Sequence, residues 1–171
     1  MTNEAAKLND LLKPGQPLPS DEVMISTALD ILNHSAHGQQ LVDFVRVNNI
    51  ALRIMSTPQP TTYLPEPKLA YIGFNRNNAV TPSRFVLMLA GILREAQQES
   101  AGIKNPHLQA PLEEHMKISM AKHEDKLWYM CTVACELNDI PTFMEYNFLD
   151  ELRKMGHHES LELYMKQEKR K

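Results

Sequence analysis

Ionisable side chains that could bind a metal ion or move a proton are concentrated on two neighbouring predicted helices. His115, His123 and Glu124 fall in the helical pattern over 112–137, and Glu95 lies on the helix before it. His115 and His123 are separated by about two helical turns, roughly 11–12 Å along one face. Both imidazoles therefore cannot bind one ion directly, and a site here would need a further ligand such as Glu95.

The two cysteines of the chain are the second candidate for chemistry. Cys131 and Cys135 lie one helical turn apart, where they share a face but are poorly placed for a disulfide. Their thiolates could hold a soft metal ion, yet no second cysteine pair completes a tetrahedral set. Buried free thiols are the simpler interpretation, and they predict a reducing compartment, the cytoplasm.

Motifs for nucleophilic catalysis and phosphate binding are missing from the sequence. No serine lies in a G-x-S-x-G or S-x-x-K pattern, so no hydroxyl nucleophile can be nominated. The chain has only 6 glycines and no Gly-rich phosphate loop. Nucleotide chemistry of the known loop types is therefore not predicted.

The composition is that of an ordinary globular protein. Of 171 residues, 43% are hydrophobic and 23% are charged, with a formal net charge of -3. This balance provides no field that attracts nucleic acid or an anionic membrane, and we expect neither as a partner. The start of the chain lacks the pattern of a secretory signal, and the longest apolar run, 85–93, is about half the roughly 20 residues of a membrane span.

The elements that must position these side chains are mostly helices. Ser20 is a predicted N-cap, a second helix is predicted to start near Ser35, and Thr81-Pro82 opens a further helix with a cap and a proline at its first position. Period-two alternation predicts strands over 50–55 and 68–74, and the prolines between 58 and 67 predict a loop or edge. The pattern over 112–137 fits one long helix or two shorter ones. The predicted helices cover about 20–33, 35–49, 81–100 and 112–137, with two more over 141–155 and 158–167.

These elements define an α+β fold class: a predominantly helical single domain with a small antiparallel sheet. We predict a flexible N-terminal arm over 1–19, one domain over 20–165 and a basic tail over 166–171. An apolar strip on the C-terminal helices, around Phe148, Leu149 and Leu161, would suit a protein partner or a homodimer contact.

The order of elements and the helix beginning at Thr81-Pro82 resemble a small zincin metallopeptidase. In zincins this helix carries H-E-x-x-H, whose two histidines bind zinc and whose glutamate polarises the metal-bound water. The stretch Leu89-Ala-Gly-Ile-Leu-Arg-Glu-Ala-Gln-Gln98 is similar to that frame. The resemblance places Gly91 at the first histidine, Ile92 at the glutamate and Glu95 at the second histidine, and places a further acidic ligand near Glu124.

At these signature positions, the sequence lacks the residues that zincin catalysis requires. Gly91 offers no metal ligand and Ile92 cannot accept a proton, so two of the signature groups are gone. Carboxylates from Glu95 and Glu124 alone would favour a harder, weakly bound ion over zinc. The resemblance therefore implies a member of the zincin-like family that has no zincin peptidase activity and no cofactor.

Three functions remain open from the sequence. The first is a non-catalytic pseudoenzyme that acts as an interaction protein on a zincin-like scaffold. The alternative is a metal-dependent hydrolase with an altered site around Glu95, His115, His123 and Glu124, which requires these groups to converge in one cleft. The third is a purely helical adaptor, which requires that 50–55 and 68–74 form no strands.

Overall fold

The computed structural model describes residues 19–55, 61–73, 82–103 and 111–137. The N-terminal arm, the two helices predicted after residue 140, their apolar strip and the basic tail lie outside the described residues. The described elements are α1 (Asp21–Leu32), α2 (Ala36–Asn48), β1 (Ala51–Met55), β2 (Thr62–Leu64), β3 (Leu69–Gly73), α3 (Pro82–Ser100) and α4 (Leu112–Glu136).

Local sequence signals account for the ends of the first two helices. The Ser20 hydroxyl accepts the Val23 N–H at 3.3 Å, and the Ser35 hydroxyl accepts the Gly38 N–H at 2.8 Å, so both are N-caps. The second helix ends at Asn49, which adopts the left-handed conformation common after helices (φ 53°). The predicted boundaries of both helices are thus confirmed to within a residue or two.

The three strands form a mixed sheet in the order β1-β3-β2. β1 is parallel to β3, with Ala51 opposite Leu69, and β2 is antiparallel to β3, with Leu64 opposite Leu69. The predicted small sheet is present, but it is mixed rather than antiparallel, because the two predicted strands β1 and β3 are parallel. The proline-rich segment contains β2, an edge strand, so the chain reverses twice between β1 and β3 and these two strands run the same way.

Helix α3 is the centre of the described core. It contacts α1, α2, β2, β3 and α4, and every side chain over 85–93 except that of Met88 is buried. This apolar run is a buried core segment, as its length predicts. Helix α4 is continuous, which decides between the one-helix and two-helix interpretations, and packs along α3. The two predicted strands are present, so the purely helical adaptor is excluded.

Candidate functional site

A pocket of about 170 Å³ lies where α3 and α4 pack together. Most of its lining is apolar, and one side carries ionisable groups. The lining residues are Thr61, Met88, Gly91, Ile92, Glu95, His123, Lys126, Leu127 and Met130. A lining of this kind can contact an apolar group on one side and a polar group on the other.

Gly91 lets α4 approach α3 beside this pocket. A Cβ added at Gly91 would lie 2.7 Å from Sδ of Met130, closer than packed atoms come. Glycine in a helix interior costs about 1 kcal/mol relative to alanine. The close contact with Met130 offsets part of that cost and gives Gly91 a packing role, without a metal-binding one.

A second, polar pocket adjoins the first. It has a volume of about 300 Å³ and is lined by Glu95, Gln98, Ser119, Lys122, His123 and Lys126. Three residues line both pockets: Glu95, His123 and Lys126. The two pockets therefore share one charged rim, with apolar space on one side and polar space on the other.

An ion pair spans this shared rim. Lys126 Nζ lies 3.6 Å from Glu95 Oε2, and the two side chains are 28% and 27% exposed. Charge-assisted N–H···O contacts are usually about 2.7–2.9 Å long. The Glu95–Lys126 pair is accordingly a loose one that closes the rim without a short hydrogen bond.

A tighter set of contacts holds the helices together at the polar pocket. Lys122 Nζ lies 2.5 Å from Glu99 Oε1, and both side chains are largely buried. The buried Gln98 amide donates to the Lys122 carbonyl at 3.0 Å and to Asp125 Oδ2 at 2.7 Å. These buried polar groups satisfy one another, which fixes the spacing of the two helices.

Arg94 and Asp125 form the best-defined ion pair between the helices. Arg94 donates from Nε at 2.7 Å and from one terminal nitrogen at 2.9 Å, a bidentate geometry. Burial opposes ionisation of Asp125, but the hydrogen bonds from Arg94 and Gln98 outweigh it and hold the pKa of this carboxyl below its usual range. The Arg94 guanidinium also lies over the Tyr129 ring, 4.6 Å from its centroid.

A second polar cluster joins the start of α2 to the end of α4. The Ser35 hydroxyl donates to Glu136 Oε2 at 2.7 Å, and the Glu136 carboxylate also contacts His37 through Nδ1 at 2.6 Å and through the backbone N–H at 3.0 Å. Burial opposes ionisation of Glu136, but these hydrogen bonds lower its pKa. The sequence indicated Ser35 only as the start of a helix and gave no sign of Glu136, because nothing local links residues about a hundred positions apart.

This cluster contains the residue types of a hydrolase triad but not its connectivity. A nucleophilic serine must donate to the base that takes its proton, and that base is oriented by the acid. Here Ser35 and His37 both bond to the same carboxylate of Glu136. The arrangement caps a helix and provides no activated nucleophile.

Four of the six predicted site residues meet at the apolar pocket: Gly91, Ile92, Glu95 and His123. His115 and Glu124 are not among the residues lining either pocket. The convergence required for the four-residue hydrolase site is therefore incomplete. Among the described residues, no group of three or more His, Cys, Asp or Glu side chains is placed to hold a metal ion.

The described residues do not fit the zinc that the zincin resemblance implies. A catalytic zinc needs three protein ligands and an open position. The pocket offers one imidazole and one carboxylate, and the carboxylate already faces the Lys126 ammonium. A cation at that position would repel a metal ion bound to Glu95.

The two cysteines are free and buried in α4. A hydrogen bond with Cys135, together with burial, raises the pKa of the Cys131 thiol well above its usual range. Both effects favour the protonated thiol, the form that neither attacks nor binds metals. The pair therefore behaves as the small hydrophobic residues that the sequence suggested.

Comparisons of the chain with models of protein families, with curated proteins and with solved structures found no match. The described residues define an α+β protein, mostly helical, with a small mixed sheet. Within them, no helix has the length and apolar character needed to cross a membrane.

Proposed function

We propose that this protein is a non-catalytic binding protein on a zincin-like scaffold, with the pocket between α3 and α4 as its binding site. One observation carries the proposal: Gly91, Ile92 and Glu95, the positions of the zincin signature in the resemblance, line a mostly apolar pocket in which Glu95 is paired with the Lys126 ammonium. Where a peptidase would hold zinc, this chain has apolar space and an internal ion pair.

The pocket is suited to burying an apolar group. Its walls come from Met88, Ile92, Leu127 and Met130, and its volume of about 170 Å³ exceeds the roughly 150 Å³ of an apolar protein cavity that binds benzene. Removing apolar surface from water contributes about 25 cal/mol per Å² to the free energy of binding. Flexible methionine side chains also let such a wall adapt to ligands of different shape.

The competing function is a metal-dependent hydrolase with an altered site. It is favoured by the presence of Glu95 and His123 on one pocket, since both residue types bind metals. The Glu95–Lys126 pair argues against it, because a metal would have to displace the lysine.

Metal content distinguishes the two functions. Untagged protein purified without chelator would be analysed by mass spectrometry beside a Glu95→Ala, His123→Ala double variant. We expect folded protein with far less than one metal ion per chain in both samples. Stoichiometric metal that disappears in the double variant would refute the binding-protein proposal and identify the hydrolase site.

Binding is tested with benzene as an apolar probe. The protein would be labelled at its methionine methyl groups and titrated while the NMR signals of Met88 and Met130 are followed. We expect saturable shifts at both methyls, and loss of the Met130 shift in Met88→Trp, which fills the pocket. The matched control is Met116→Trp, at an exposed position of α4 away from the pocket. Absence of saturable shifts in the unmodified protein would contradict the proposal.

A further inference from the structure

The shared rim of the two pockets carries one carboxylate, one ammonium and the imidazole of His123. Glu95 and Lys126 come from facing helices, and each lines both the apolar and the polar pocket. A ligand in the apolar pocket that extends into the polar one must therefore pass between a carboxylate and an ammonium. The charges of that ligand are constrained by both groups at once.

The ion pair across the rim is weak enough to open. Its 3.6 Å separation and its partial exposure on both sides place it with the surface pairs that contribute little to stability. By contrast, the Lys122–Glu99 contact between the same two helices is 2.5 Å long and largely buried. The Glu95–Lys126 pair can therefore open while the Lys122–Glu99 contact keeps α3 and α4 in place.

Opening the pair leaves two partly desolvated charges, and a ligand must compensate both. A simple anion would satisfy Lys126 and leave Glu95 beside a like charge, and a simple cation would do the reverse. A zwitterion compensates both at once, with its ammonium at Glu95 and its carboxylate at Lys126. The ligand that joins such a head group to an apolar group through one carbon is an α-amino acid.

We infer that the paired pockets bind a free apolar α-amino acid. Its side chain occupies the apolar pocket among Met88, Ile92 and Met130, and its ammonium and carboxylate insert between Glu95 and Lys126. This inference rests on the proposed function, since it names the ligand of the same pocket. The volume of about 170 Å³ accommodates side chains of the size of leucine, methionine or phenylalanine.

Four small probes separate the contributions of side chain and head group. L-leucine carries all three features, glycine lacks the side chain, 3-methylbutylamine lacks the carboxylate and 4-methylpentanoate lacks the ammonium. Burial of the leucine side chain is expected to improve affinity over glycine by about one to two orders of magnitude. Each single-charge analogue is expected to bind at least about tenfold more weakly than leucine.

The experiment is a titration of the full chain with each probe, followed at the methionine methyls of Met88 and Met130 and by calorimetry. Saturable leucine binding with the expected order of affinities supports the inference. Equal binding of leucine and 4-methylpentanoate, or of leucine and 3-methylbutylamine, overturns it. If benzene binds and leucine does not, the inference fails while the proposed function stands; if neither binds, both fail.

Variants at the rim test the head-group contacts. Glu95→Gln and Lys126→Gln should each weaken leucine binding at least about tenfold and change benzene binding by much less, because benzene carries no charge for either residue to contact. The matched controls are Glu114→Gln and Lys117→Gln, which are exposed positions of α4 that line neither pocket. Unchanged leucine affinity in both rim variants overturns the inference, and the methionine methyl NMR spectrum of each variant without ligand verifies that it remains folded.

Discussion

The carboxylate of Glu136 accepts the backbone N–H of His37 at 3.0 Å, so the last turn of α4 caps the first turn of α2 across 99 positions of the chain. The N-terminus of a helix carries unsatisfied N–H groups and a partial positive charge, and a carboxylate there is favourable. Ser35 supplies a local cap at the same place, so α2 begins with one cap from its own sequence and one from a distant helix.

This long-range cap predicts a pH dependence of stability. Because the pKa of Glu136 is lowered in the folded chain, its contribution is present above the ordinary glutamate pKa of about 4.3 and is lost as pH falls through the lower folded value. Glu136→Gln should reduce the free energy of unfolding at pH 7 by about 1–2 kcal/mol and flatten its dependence on pH below 5. Urea unfolding at several pH values measures both effects. The control is Glu22→Gln, at an exposed position of α1. If the stability of the Glu136 variant depends on pH in the same way as that of the unmodified protein, the stabilising role of the Glu136 carboxylate is contradicted.

The contact between Gly38 and the preceding helix predicts a large effect of one methyl group. A Cβ at Gly38 would lie 2.2 Å from the Leu32 carbonyl oxygen, and backbone atoms cannot move aside cheaply. Gly38→Ala should destabilise the protein by about 3 kcal/mol or more. Gly91→Ala is the matched comparison, because its Cβ would meet the flexible end of Met130 and the helix gains from alanine. Chemical denaturation should show a much smaller loss of unfolding free energy for Gly91→Ala than for Gly38→Ala. Equal losses in the two variants would refute the prediction.

The bidentate pair of Arg94 with Asp125 predicts that lysine cannot replace this arginine. Lysine keeps the charge but loses the forked geometry and the stacking on Tyr129. Arg94→Lys should lower the free energy of unfolding by about 1 kcal/mol, a figure reduced because the Asp125 side chain is 44% exposed. Arg46→Lys provides the control, since its 3.8 Å pair with Asp43 is highly exposed and should change stability by less than about 0.5 kcal/mol. Thermal unfolding of both variants tests the comparison.

The buried cysteines predict a thiol that reports on unfolding. The hydrogen bond with Cys135, together with burial, raises the pKa of the Cys131 thiol, so the reactive thiolate is suppressed in the folded chain. At pH 8, Ellman's reagent should label the native protein slowly and label both thiols rapidly in denaturing urea. Because the chain has 2 cysteines, complete labelling corresponds to 2 thiols per chain. Rapid labelling of the native protein would show that the thiols are accessible.

Local signals made most of the described helices predictable. Ser20, Ser35 and Thr81-Pro82 mark helix starts by chemistry that acts within a few residues, and the structure begins its helices at or next to them. Strands β1 and β3 were predictable from period-two alternation. Their direction was not, because pairing depends on how often the chain reverses between them, and the short edge strand β2 was hidden among prolines.

The candidate site was predictable only where a resemblance pointed to it. Gly91, Ile92, Glu95 and His123 do line one pocket, but the spacing of His123 on its helix could not show that Lys126 would face Glu95. The same limit hid the contacts of Arg94 with Asp125 and of Glu136 with His37. Pairs between distant helices depend on how the helices pack. Hydrophobic periodicity predicts which face of a helix is buried, but it does not predict which residue on that face contacts which residue of the neighbouring helix.

The position of β3 in the middle of the sheet has a consequence for how the sheet assembles. Leu64 and Leu69 pair across a turn of only four residues, 65–68, whereas Ala51 must reach Leu69 from 18 positions away. The entropy lost on closing a loop grows with its length. The β2–β3 hairpin therefore loses less entropy on closing than the β1–β3 pair does, and we expect the hairpin to form before β1 joins the sheet across the longer loop.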